Sequence, residues 1–442
     1  LFRSQKQGNI TRIYDFPEWR LGTVQELPDN QRLVMLAMKD QTDTRKAESL
    51  INLGRLMLSF NYAPESMGYL DLAQSLVPEL ETNPEFIALR GASQALSWNY
   101  KDAYQTFSVA GLNDVGEIAY WKAYTLAKLE DWQQAAKMLP DDMGILSTYP
   151  DEIQQPLALT FAEIALRQGN KEKAKSILDI IEPAREHMPT PYASAFDYLT
   201  GEYARQTGKP EISKEKWKEL EQGSDDLYRA KARFALTMLQ LASKEITPDK
   251  AIDNLEGLRY AWRGDELEVS INANLAKVYL DQGDPVKALT LMRVARDLNL
   301  TSEQGKQIDA DMRATFKKLF DPQKIKTISP VDVLTVYNEF SDLLPAGADG
   351  EALTRQLAER MADADLLPRA TSLLKKQVDD GGVQGLEGAG VAIRLAALQN
   401  MDGRADDALQ SLAKAEGLLK GLPAEDVLPK QRDIGMLRAK AL

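Results

Sequence analysis

From about Thr44 to the C-terminus, apolar positions recur with a helical period, in pairs of segments separated by short polar turns. A small residue stands just after each turn. Ser66, Ala103, Ala135, Ala174, Ala251, Ala288, Ala370 and Ala408 are the visible anchors, and successive gaps include 37, 32, 39, 37 and 38 residues. The two larger gaps, 77 and 82, each leave room for one degenerate copy, one near Glu215 and one near Val331–Leu344. A fixed period in this range implies stacked supersecondary units. Twelve residues before an anchor comes a second small residue: Gly54, Gly91, Ala123, Ala162, Ala276, Ala358 or Ala396, with Leu239 before Ala251 as the exception. Four residues after it comes a larger apolar one: Leu70, Phe107, Leu139, Leu178, Leu255, Met292, Leu374 or Leu412. Antiparallel helices approach to about 8–10 Å where their crossing carries small side chains, so the three positions define one interlocking hairpin.

Punctuation supports this reading. Asn83-Pro84, Thr247-Pro248, Asp284-Pro285 and Ser329-Pro330 each place a capping oxygen before a proline at the first helical position. Asp265 with Glu268 predicts a capping box, and Gly264 before it suits a left-handed turn; Thr301 with Gln304 reads similarly. Gly169, Gly283 and Gly403 all stand five residues before an anchor, which predicts a shared backbone conformation. The first forty residues read differently. Ile10–Phe16 alternates apolar and polar, and Leu33–Leu36 is a short apolar run, so both are expected as strands.

The spacing resembles the tetratricopeptide repeat (TPR), whose units have 34 residues with small residues at positions 8 and 20. Asn83–Ala110 and Ile271–Ala295 carry it best, and the resemblance covers roughly residues 44–420. It implies an all-α fold, a right-handed TPR-like α-solenoid of about nine or ten hairpins, behind a short β-like N-terminal segment. Residues 1–43 are expected to be that segment, the end of a truncated module, followed by a superhelix over 44–320 and further TPR-like repeats over 321–442. The stretches Ile246–Glu268, Val336–Phe340 and Ala364–Ala370 are similar to an uncharacterised alphaproteobacterial envelope TPR family. That narrower resemblance implies periplasmic residence, envelope or motor proteins as partners, and scaffolding in a machine such as the flagellar motor.

Composition narrows the chemistry. Lys plus Arg is 54 against 66 for Asp plus Glu, a net charge of −12, which disfavours nucleic acid. No apolar run is long enough for a membrane span. There is no cysteine, hence no thiolate nucleophile, disulfide or cysteine metal site. His187 is the only histidine, so a serine triad or multi-histidine metal site lacks its parts. It is expected in an exposed loop. Asp141–Asp142, Asp225–Asp226 and Asp379–Asp380 are expected in solvated turns. The glycines Gly381, Gly382, Gly385, Gly388 and Gly390 spell no phosphate loop and are expected to connect into a helix over Val391–Gln399. No cofactor and no metal are expected. The chain starts at Leu1 rather than Met, which is read as a mature or partial chain.

The expected function is a non-catalytic protein–protein interaction scaffold in a bacterial envelope assembly; the alternative is an accessory helical domain of a peptidoglycan-processing enzyme. Counted from Ala135, Tyr120 and Tyr124 fall at positions 5 and 9 of a first helix, which the TPR resemblance places on the concave groove. With Trp121 and Lys128 they either grip a peptide or pack between repeats. Tyr260, Trp262 and Arg263 form a second aromatic-basic group, read either as a seam plug, with Arg263 on helix-end carbonyls, or as a docking patch.

Overall fold

The computed structural model describes residues 6–7, 10–298, 303–321, 323–381 and 383–442. The chain forms two compact units, one up to Glu245 and one from Ile246. In the first, α1 (Phe16–Trp19) and α2 (Leu27–Ala37) precede five antiparallel hairpins. These are α3 (Asp43–Ser59) with α4 (Ala63–Leu76), α5 (Pro84–Leu96) with α6 (Tyr100–Phe107), and α7 (Ile118–Lys128) with α8 (Trp132–Met138). Then come α9 (Asp151–Arg167) with α10 (Lys171–Ile181) and α11 (Thr190–Gln206) with α12 (Pro210–Glu221), and α13 (Asp226–Ala242) ends the unit. The second unit holds α14 (Pro248–Ala261), α15 (Glu266–Asp281), α16 (Pro285–Leu298), α17 (Glu303–Leu319) and α18 (Pro330–Glu339). It continues with α19 (Ala348–Asp363), α20 (Leu367–Asp379), α21 (Gly385–Met401), α22 (Ala405–Leu418) and α23 (Ala424–Ala441).

The expected β-like segment is not supported. Lys6–Gln7 and Ile10–Thr11 pair as a two-residue antiparallel ladder, too short to form a module. Phe16–Trp19 and Leu27–Ala37, where strands were expected to end and resume, are helical. Pro17 and Pro28 sit in the first turns of these helices, where a missing N–H costs nothing.

Small residues hold the hairpins together as the spacing predicts. Every anchor from Ser66 to Ala408 is fully buried. A Cβ on Gly54 would lie 3.2 Å from Leu70, and one on Gly91 would lie 2.5 Å from the Phe107 ring. The copy expected near Glu215 as degenerate is regular. Its anchor is Ser213, with Gly201 twelve residues before and Trp217 four after, and a Cβ on Gly201 would meet Trp217 Nε1 at 2.5 Å. The Ser213 hydroxyl donates to the Gly201 carbonyl at 2.8 Å across the same crossing. The copy around Val331–Leu344 does lack the signature. Rings replace small residues there: Phe316, Phe320 and Phe340 are fully buried, the first two 4.8 Å apart, and Arg293 lies 4.3 Å from the Phe340 ring.

The shared turn conformation extends well beyond glycine. Five residues before the anchor, Gly169, Gly208, Gly283 and Gly403 have positive φ, and so do Asn61, Trp98, Glu130 and Asp365. In each case the next N–H returns to a carbonyl five residues back, as Tyr62 to Met57 and Asn170 to Ala165, both at 2.9 Å. This is the Schellman closure of a helix end. Before Ala251 the left-handed residue is Lys244, two positions earlier than elsewhere.

Asn83, Thr247, Asp284 and Asp265 cap their helices as expected, while Glu268 accepts the Gly264 N–H at 2.7 Å, one residue before the N–H a capping box would use. Ser329 makes no side-chain cap. The start at Thr301 lies outside the described residues, as does Gly382. The remaining glycines of that cluster are less of a connector than expected. Helix α21 already begins at Gly385, and a Cβ on Gly388 would meet the Val383 carbonyl at 2.6 Å.

Candidate protein-interaction site

The structure closes off the aromatic groove expected around Tyr120. Tyr120, Trp121 and Tyr124 are all buried. The Tyr120 hydroxyl donates to the Asp142 carbonyl, and its ring lies 6.1 Å from Phe161 on α9. Burial first, then the charges of Asp142 and Glu117, push its pKa up. Tyr124 meets Tyr100 of α6 edge-on at 6.1 Å, and burial raises its pKa too. Trp121 donates to the Tyr149 hydroxyl at 3.2 Å. Helix α8 is only 7 residues long, and these rings pack against α6, α9 and Tyr149 in the seams to neighbouring hairpins. They belong to packing and offer no surface to a partner. Lys128 differs: it is exposed, its ammonium 5.4 Å from the Tyr124 ring.

In the second unit, Trp262 is half-buried and donates to Asp265 at 2.9 Å, which stiffens the start of α15. Arg263 pairs with the Glu268 carboxylate at 3.4 Å rather than with helix-end carbonyls. Tyr260 is 70% exposed, the more open of the two rings. His187 and both Asp141 and Asp142 are exposed, and Asp225 caps α13. No group of three or more His, Asp or Glu side chains among the described residues could hold a metal.

A different cluster emerges around Glu163 of α9. Four successive first helices supply it: α7 gives Lys128, α9 Glu163 and Arg167, α11 Tyr198, and α13 Tyr228 and Lys231. Arg167 bonds the Glu163 carboxylate at 2.9 Å, and Lys231 lies 3.9 Å from it. Lys231 also stands over the Tyr198 and Tyr228 rings at 5.7 and 5.3 Å, and Arg167 over Trp132 at 3.8 Å. Burial raises the Glu163 pKa. The charges of Lys231 and Arg167, the Arg167 hydrogen bond and the Lys128 charge outweigh it and pull the carboxyl down to about 2. The ammonium end of Lys128 is partly desolvated among these groups, which lowers its pKa; the Glu163 charge offsets this and the Lys231 charge adds to it.

Three cations surround one carboxylate here, on a chain whose net charge is −12. The side chains stay in reach of water: Glu163 and Lys231 are about one-fifth exposed, Arg167 one-third. Aromatic rings flank the cations and fix where they stand. Such a patch can receive an anionic group and stack against an adjoining apolar or planar one. Part of it was legible, because Lys128 and Arg167 occupy the same position relative to Ala135 and Ala174. Lys231 precedes the repeat frame of its own copy, and only packing brings it in.

These hairpins, their small-residue crossings and their Schellman turns define a TPR-like helical-repeat protein. No family model matches the chain, and no curated protein matches it. Among solved structures it is similar to a tetratricopeptide repeat protein from Parabacteroides merdae, at 14% identity over 60% of this chain and 97% of that one, with a TM-score of 0.39. It is also similar to the apo quorum sensor NprR from B. thuringiensis, at 11% identity over 83% and 97% of the two chains, TM-score 0.37. Human IFIT1, a dimer solved with PPP-AAAA, aligns at 16% identity over 91% and 97%, TM-score 0.38.

Proposed function

We propose that this chain is a non-catalytic protein–protein interaction scaffold whose first unit docks an acidic segment of a partner at the Glu163 patch. The observation that carries the reading is the convergence of Lys128, Arg167 and Lys231 on one carboxylate, beside the Tyr198 and Tyr228 rings. Acidic partner side chains would meet the Lys128 and Lys231 ammonium groups there, on rigid helices that lose little entropy on binding.

The setting is a bacterial envelope assembly, with the chain in the periplasm and the flagellar motor as one concrete machine. This part rests on the three sequence segments similar to an envelope family. No described helix is long and apolar enough to cross a membrane.

Crosslinked capture of defined proteins from envelope extract tests the scaffold reading. Lys128→Glu changes an exposed residue and should cut recovery at least tenfold while circular dichroism is unchanged. Turnover of peptidoglycan by the purified chain would refute the non-catalytic reading. Osmotic-shock release of a tagged chain tests the compartment separately, and retention with cytosolic markers would discard the envelope setting alone.

A further inference from the structure

The strap Arg12–Arg20 is held as a bound peptide is held. Arg12–Asp15 runs without regular structure, and Phe16–Trp19 makes one helical turn capped by Asp15. Its inward side chains are Tyr14 and Phe16, both buried, with Trp19 half-buried. Its outward ones, Pro17 and Glu18, are exposed. Exposed residues Leu21–Glu26 then lead to α2, and Gly22 among them has φ +76°.

What receives the strap comes from residues far along the chain. The Glu117 carboxylate, fully buried at the start of α7, accepts the main-chain N–H of Ile13 at 2.5 Å and of Tyr14 at 3.0 Å. It also accepts the Tyr149 hydroxyl at 2.6 Å. The Tyr14 hydroxyl donates to the Ala88 carbonyl of α5 at 2.7 Å, and its ring lies 5.3 Å from Trp121. Phe16 meets Tyr149 edge-on at 4.9 Å. At the two ends, Arg12 donates to Thr148 at 2.8 Å, and Arg20 makes a bidentate pair with Glu152, both bonds 2.9 Å.

A side-chain carboxylate satisfying two successive backbone N–H groups is recognition of a chain segment rather than continuation of the hairpin array. The strap carries no repeat signature of its own, and its link to the array is an exposed stretch. Backbone capture by Glu117, aromatic slots beside Trp121 and Tyr149, and an acidic receptor for a terminal guanidinium together specify one peptide chemistry.

We propose that the surface formed by α3, α5, α7 and the start of α9 is a second docking site, filled in cis by Arg12–Arg20, with Arg20 over the Phe60 ring at 4.3 Å and Arg55 over Trp19 at 5.6 Å at its α3 side. Its partner in trans is a short peptide with aromatic residues spaced as Tyr14, Phe16 and Trp19, flanked by arginines. The strap masks this surface until such a peptide displaces it. The proposal is independent of the Glu163 patch, whose ligand is acidic.

The test uses the full chain with a protease site inserted at Gly22, cut after folding, and a labelled peptide of the sequence Arg12–Arg20. Fluorescence anisotropy should show saturable binding to the cut chain, at least tenfold tighter than to the uncut chain. A peptide with alanine at the positions of Tyr14 and Phe16 should bind at least tenfold more weakly. Three results overturn the proposal: no uptake of peptide by the cut chain, loss of helicity when the cut fragment leaves, or an uncut chain that elutes as a dimer with straps exchanged between copies. The second would make the strap an indispensable part of the core, and the third would make the partner a second copy of this chain.

Discussion

Glu163→Gln keeps the shape of the side chain and removes the charge that Lys128, Arg167 and Lys231 face. The wild-type carboxyl lies at about 2 in the folded chain, against an ordinary value of 4.5. At roughly 1.4 kcal/mol per pH unit, that difference corresponds to about 3 kcal/mol of stabilisation. The sign follows from a folded-state value that is depressed. The stabilisation is complete above pH 4.5 and is lost as pH falls from there toward about 2. The variant should therefore lose about 3 kcal/mol at pH 7 and differ from wild type by less than ~1 kcal/mol at pH 2.5. Urea unfolding followed by tryptophan fluorescence is a suitable assay, because five of the six tryptophans lie before Glu245 and report on this unit. A loss below ~1 kcal/mol at pH 7, or an equal loss at both pH values, would refute the claim that the three cations hold this carboxylate ionised.

Two further predictions address the hairpins themselves. Gly201→Ala places a methyl 2.5 Å from Trp217 Nε1 and should cost about 1–3 kcal/mol. Gly68→Ala, in open space on α4, should instead stabilise by about 0.5–1 kcal/mol. Parallel melts of the two variants check the contrast, and equal shifts would show that crossing distance is not what selects the small residue. Trp98 holds φ +66° at a turn where other copies carry glycine, and it is 80% exposed. Trp98→Gly should raise stability by about 1 kcal/mol, and a lower Tm would show that the indole contributes packing that exposure conceals.

Much of the architecture was readable from one sequence because it is imposed locally. Small residues at a twelve-residue offset set the crossing, and the residue five before the anchor sets the turn. These are short-range steric conditions that recur in most copies, with the Ala251 copy and the one around Val331–Leu344 as the departures. Ser213 with Gly201 and Trp217 satisfied them as well, although a tryptophan at the bulky position has no counterpart in the other copies. The N-terminal strands were misread because alternation over a few residues cannot say whether a segment pairs with a strand or lies against helices. The Tyr120 and Tyr124 rings were misplaced for a related reason. A position number within a repeat gives a direction from the helix axis, and whether neighbouring hairpins leave that direction open depends on their lengths.

The sequence alone determined that this protein is built of helical hairpins, and where most of them turn, because backbone sterics act over a dozen residues. Tertiary structure alone decided which side chains remain in reach of a partner. The charge balance at Glu163 is a sum over three helices, and the capture of Ile13 and Tyr14 by Glu117 joins residues about a hundred positions apart. Neither arrangement has a local signature, since burial and electrostatic coupling follow distance in space and not distance along the chain.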